Sequence, residues 1–174
     1  MRTLVPDPAP PEVQQLIERR KRLGLDGYDE VWEGVYHMAP MARFRHGRLQ
    51  VQLARLLGPH SDAAGLVDSG PFNLGDGPES FRVPDLGYHR QGLDPEALYV
   101  ATAAMVVEVV SPDDETYDKL AFYAAHGVDE VVVVEPVERQ VRIFARDGSH
   151  YAETGRSSLL GVQGADLASQ LRWS

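Results

Sequence analysis

Two valine-rich runs, residues 105–110 (MVVEVV) and 130–134 (EVVVV), enclose a stretch of helical character. Each run is short, apolar and β-branched, which suits a buried strand better than a helix. Strand, helix and strand in that order predict a parallel crossover, and therefore a sheet with at least one parallel pair. One acid, Glu108, interrupts the first run. An acid inside an otherwise buried strand is costly unless something pairs with it. Lys119 is the sole Lys or Arg between Glu108 and Glu138, a span that holds nine acids with its ends included.

The 174 residues are enough for one domain with a real core. They divide into an N-terminal extension and helix, residues 1–25, and a single domain, residues 26–174. The absence of cysteine excludes disulfides, thiolate zinc sites and Cys nucleophiles. No apolar run approaches membrane-spanning length, and MRTLVPDPAPPEV lacks the apolar core of a secretory signal. These features predict a cytoplasmic protein without membrane association. The net charge of −9 is unevenly spread. Residues 1–55 carry nine Lys/Arg against seven Asp/Glu, whereas residues 56–174 carry eight against nineteen. So acidic a chain has no general attraction for nucleic acid, and any such contact requires a local basic patch.

Residues 1–10 are Pro-rich and expected to be loosely held. Pro11 can open a helix with Val13, Leu16, Ile17 and Leu23 at helical spacing and Gly24 as its stop. The basic run Arg19–Arg22 on this helix is ordinarily a solvated face, with a nucleic-acid contact as the alternative. Residues 28–38 (YDEVWEGVYHM) predict a β-hairpin turning near Glu33 and Gly34. A second helix over 44–57 carries a Leu49, Leu53, Leu56 and Leu57 stripe, and Gly58-Pro59 is expected to end it. Short strands follow at 65–73 and 81–88, with a turn at 75–78. Pro84 requires an edge, a bulge or a strand start. Residues 92–104 form a connection with one helical turn near 95–98. After the central unit, residues 139–144 and the region near Tyr151 form a hairpin around Asp147-Gly148. The tail ends in a turn of helix. The fold class is therefore α/β or α+β, a mixed sheet flanked by helices with an N-terminal hairpin.

If residues 81–86 and 105–110 are adjacent strands, Asp85 and Glu108 project from one sheet edge. Two converging carboxylates repel unless a cation lies between them. Mg²⁺ suits that position, because hard divalent ions prefer oxygen ligands and retain waters. Such an ion, with a nearby lysine, is what phosphodiester hydrolysis needs. Each residue also has a plainer role. Asp85 can be a turn residue after Pro84, Glu108 can pair with Arg82, and Lys119 can be a solvated helix residue. Lys119 falls at the edge of a stripe formed by Thr116, Leu120, Tyr123, Ala124 and Gly127, so its stem can cross apolar surface. Ser111 can cap a helix, with Asp114 three residues on. His46 lies in the first turn of the second helix. The other five histidines show no ligand spacing, and no GxSxG, P-loop or Rossmann signature is present.

Together these residues resemble the Uma-type restriction-endonuclease-like family. The hairpin YDEVWEGVYHMAP is similar to its opening. His46, VPDL and VVEVVSP fall where the family has a His, a proline–aspartate strand and a glutamate strand with Ser-Pro. DKLAFYAAHGVDEVVVVEP is similar to its Lys–Tyr–Gly-Val block, with Lys119, Tyr123, Gly127, Val128, Glu130 and Pro136 in place. The likeness spans residues 26–170. It implies the PD-(D/E)XK nuclease fold, with Asp85 and Glu108 as the metal-binding acids. The strand lysine usual two residues after the Glu is replaced by Val110, and the family supplies it from the next helix, here Lys119. Glu33 or Glu30 is the implied extra acid near the metal, and His46 and Tyr123 are further candidates. Val131-Val132 and Glu135 depart from the family's aromatic pair and its Asp.

The resulting expectation is an Mg²⁺- or Mn²⁺-dependent nuclease acting on DNA, as a homodimer. The alternative is a catalytically silent nucleic-acid-binding or regulatory protein that keeps the fold. A third role, a toxin-like or structural partner protein, would use Arg19–Arg22 against another chain.

Overall fold

The structure, a computed structural model, describes residues 3–5, 8–111 and 115–173. The chain runs through β1 (Thr3–Val5), α1 (Pro11–Arg22), β2 (Glu30–Trp32), β3 (Val35–Met38), α2 (Phe44–Ala63) and β4 (Val67–Ser69). It continues through β5 (Asn73–Gly77), β6 (Ser80–Arg82), β7 (Leu86–His89), β8 (Tyr99–Val100) and β9 (Met105–Val109). A 3-10 turn, Thr116–Lys119, leads into α3 (Leu120–Ala125), then β10 (Glu130–Glu135), β11 (Gln140–Asp147), β12 (His150–Glu153) and α4 (Gly164–Gln170). The mixed α/β architecture is as expected, distributed over two sheets. One has the order β1-β3-β2-β6-β5-β8 and the other β12-β11-β10-β9-β7-β4.

The valine runs lie side by side as β9 and β10, parallel, in the register Met105↔Glu130 to Val109↔Val134. The strand period of two divides their side chains between two cores. Met105, Val107, Val109, Val132 and Val134 pack with the α2 stripe Leu49, Leu53 and Leu57. Val106, Val131 and Val133 face the other way, toward Phe122 and Tyr123 on α3. By the same alternation Glu108 belongs to the α3 face. Both sheet faces are covered, so these strands are apolar nearly throughout.

Several local expectations change. Thr3–Val5 is a strand paired with β3, not a loose end. Helix α2 continues through Pro59 to Ala63, because the stripe Leu49, Leu53, Leu57 gains a further buried member at Ser61. Burial of that face outweighs the hydrogen bond that Pro59 cannot donate. The residues expected to turn at 75–78 are largely strand, with a bulge between Gly75 and Gly77. Gly75 has φ +152°, and a Cβ there would lie 2.5 Å from the Ser80 carbonyl oxygen. Residues 95–98 form a turn without helix. The run 81–88 is not one strand. It splits at Pro84 into β6 in one sheet and β7 in the other. The α1 stripe has no buried residue, and Leu16 and Leu23 are exposed. Glu33 (φ +47°) and Gly34 (φ +85°) turn the hairpin, as expected.

Candidate active site

The split at Pro84 places the first acid. Strand β7 runs antiparallel to β9 with Leu86 opposite Val107. The Asp85 amide donates to the Val107 carbonyl at 3.0 Å. One residue further along this register, Asp85 stands opposite Glu108. Its Oδ2 accepts from the Val109 amide at 2.6 Å. Its Oδ1 accepts from His46 Nε2 and from Gln50 Nε2, both at 2.8 Å. His46 and Gln50 are one turn apart on α2, so a single helix face holds this carboxylate. His46 also reaches the Ser111 hydroxyl through Nδ1 at 3.2 Å. The cap expected from Ser111 and Asp114 involves residues 112–114, which lie outside the described residues.

The second acid meets the lysine. Lys119 is 1% exposed, which rules out its role as a solvated helix residue. Its Nζ lies 2.9 Å from Glu108 Oε1 and 2.8 Å from Glu30 Oε1. The Tyr123 hydroxyl, one turn further on, donates to Glu108 Oε1 as well. Glu30 is held in turn by the Val83 amide at 2.9 Å and by Trp32 Nε1 at 2.7 Å. Burial pushes the Glu108 carboxyl up, to about 7, against the opposing pull of Lys119 and with help from Asp85 and Glu30. Burial, and then the Glu108 charge, also raises the Tyr123 phenol well above its usual value, so it stays a donor.

Arg82 does not pair with Glu108. Its guanidinium lies between the Trp32 and Phe122 rings, at 4.2 and 4.0 Å, and bonds Glu33 at 3.2 Å. Glu33 is correspondingly away from the acids, its side chain 72% exposed. Glu30 is the hairpin acid in their company, because alternation along β2 sends it inward at 0% exposure. Gln50 escaped the sequence reading, although its spacing of four from His46 was the available signal.

Asp85, Glu108 and Lys119 line one cleft of about 640 Å³, with His46 and Ser111 in its wall and Arg43 and Arg45 beside it. Among the described residues no group of three or more His, Asp or Glu converges as a complete ligand cage. The donor set nevertheless suits a hard divalent cation that keeps water ligands. Glu108 and Glu30 bring two carboxylates to one ammonium, and the Asp85 charge raises the Glu108 pKa across the strand pair. A cation between Asp85 and Glu108 would relieve that repulsion.

Asp85 and Glu108 are buried where the chain passes from one sheet to the other, with Lys119 of the 3-10 turn against Glu108. A crystal structure from Anabaena variabilis, described as a "putative nuclease belonging to DUF820", superposes with a TM-score of 0.65 at 16% identity, over 82% of this chain and 90% of that one. That match establishes a restriction-endonuclease-like fold. The DrdV–DNA complex aligns more loosely, with a TM-score of 0.35 at 14% identity over 72% of this chain and 13% of that one. No curated protein matches the sequence. The profile of the Uma2 family, whose description is "Putative restriction endonuclease", matches residues 14–170. The chain belongs to the Uma2 family.

Proposed function

We propose that this protein is a divalent-metal-dependent nuclease that hydrolyses phosphodiester bonds of DNA. The observation that supports it most is the meeting of Asp85, Glu108 and Lys119 in one cleft, within a chain of the Uma2 family. Asp85 and Glu108 would hold Mg²⁺ or Mn²⁺. Bound there, the ion supplies a positive centre for the charge that builds on the phosphate oxygens during hydrolysis.

The chain's own groups do the rest. His46, Gln50 and the Val109 amide fix the Asp85 carboxylate from three sides, which leaves it little freedom to swing away from the cleft. Tyr123 and Lys119 do the same for Glu108. The Lys119 ammonium stands where a phosphate oxygen or an attacking water can be drawn in, and Glu30 holds it from behind at 2.8 Å. Cutting both strands of a duplex calls for two such sites, and a homodimer would supply them.

The test is cleavage of labelled DNA by the purified protein in Mg²⁺ and in Mn²⁺. Asp85→Asn, Glu108→Gln and Lys119→Met should each lower the rate by a factor on the order of 10² to 10³. Unchanged cleavage in the first two variants would overturn the assignment. DNA binding without cleavage in either metal would favour the catalytically silent alternative.

A further inference from the structure

Next to the cleft, the arginines at the start and along the outer face of α2 form a second feature that the proposed hydrolytic site does not use. Between Glu33 and Asp62 the sequence contains no acid for 28 residues, the longest such interval in a chain of net charge −9, and it contains four arginines. A groove of about 710 Å³ runs over the outer face of α2, and Arg43, Arg48, Arg55 and Arg172 line it. Among the described residues, no Asp or Glu lines it. The groove and the proposed catalytic cleft share Tyr28, Ala42 and Arg43, so the two adjoin. Arg48 and Arg55 are seven residues apart and lie on one helix face. Along the helix axis Arg48 and Arg55 are spaced by about 10.5 Å. At the mouth of the groove the Phe44 ring is 86% exposed. A cationic track beside an exposed aromatic ring is the combination that holds a nucleic-acid strand by its backbone while a base stacks.

We propose that a nucleic-acid strand leaves the catalytic cleft past Phe44 and runs along the outer face of α2, its phosphates on Arg43, Arg48, Arg55 and Arg172. This rests on the nuclease reading for the polarity of the path, but it is tested by binding alone. Charge complementarity selects the occupant. An arginine-rich face on a strongly acidic protein, lined by no Asp or Glu among the described residues, repels a second copy of that face and attracts a polyanion.

The experiment is fluorescence anisotropy of a labelled single-stranded oligonucleotide with the full chain, in buffer without divalent metal, across a salt series. Omitting the metal separates failure of the track from failure of catalysis. Arg48→Glu/Arg55→Glu should weaken binding at least tenfold and flatten the slope of log K against log salt by about two. Phe44→Ala should weaken it several-fold without changing that slope. Arg19→Glu/Arg22→Glu on α1 makes the same change in net charge and should leave affinity nearly unaltered. Equal losses in the two double variants would overturn the proposal, because net charge alone would then explain the binding. So would an unaltered affinity in Arg48→Glu/Arg55→Glu, or a wild-type protein that fails to bind at low salt. A change in sedimentation without a change in oligonucleotide affinity would assign the face to a second copy of the chain and also overturn it.

Discussion

Lys119 reaches the Glu108 face of β9 from a neighbouring element. Side chains two apart on a strand share a face, so a lysine at position 110 would stand on the Glu108 face of β9. Val110 occupies that position, and α3 packs over the same face. The 3-10 turn before α3 delivers the ammonium to Glu108 from above, at 2.9 Å. His89, a buried base on the adjoining strand, belongs to stability. Its Nε2 bonds Ser69 at 3.0 Å, and its exposure is 3%. Burial lowers its pKa below the ordinary 6.5. As the pH falls through about 6.5 the unfolded chain takes up a proton that the folded chain refuses, so stability falls with pH in that window. Urea unfolding should therefore show a larger loss between pH 7.5 and 5 for the wild type than for His89→Gln. Equal losses would mean that His89 titrates alike in both states.

Helix α2 serves three surfaces at once. Leu49, Leu53 and Leu57 close the larger core, His46 and Gln50 hold Asp85, and the arginine face lies outward. The core stripe recurs every four residues and carries the helix past Pro59. That passage has a cost, since Pro59 donates no hydrogen bond and crowds the preceding turn. Pro59→Ala should restore both and raise stability by about 2 kcal/mol. This is the roughly 3 kcal/mol cost of an interior proline less the smaller gain that proline makes by stiffening the unfolded chain. Differential scanning calorimetry would register it as a midpoint higher by several degrees, and an unchanged midpoint would mean the helix has already relaxed around the ring. Prolines are strong sequence signals, but the sign of their effect depends on what a longer helix can bury. Pro84 illustrates the opposite outcome, because there the chain breaks and changes sheets.

For the molecule as a whole, a metal held by the cleft carboxylates, as proposed, would couple its binding to folding. A metal that binds the native state at ten times its Kd stabilises it by about 1.4 kcal/mol, or roughly 3–6 °C in a chain of this size. Mg²⁺ or Mn²⁺ should raise the thermal midpoint of the wild type by that order and have little effect on Asp85→Asn/Glu108→Gln. A shift that persists in the double variant would place the ion elsewhere. Among the described residues no helix is long and apolar enough to cross a membrane.

What the sequence determined by itself is what depends on local periodicity. The two valine runs specified a buried parallel pair, the Glu33-Gly34 turn specified a hairpin, and Glu108 marked itself as an acid that needed a partner. The Lys–Tyr–Gly-Val block pointed to the family. Tertiary structure decided which acid meets which base. Arg82 and Lys119 were both open as partners of Glu108, and Glu30 and Glu33 as the extra acid. The hairpin's pleat turned Glu30 inward and left Glu33 at an exposed turn beside Arg82. The strand switch at Pro84 set Asp85 against β9 and within reach of Gln50, 35 residues earlier in the chain. Pairings across such separations follow from how sheets stack and which faces they bury, and no local pattern encodes that.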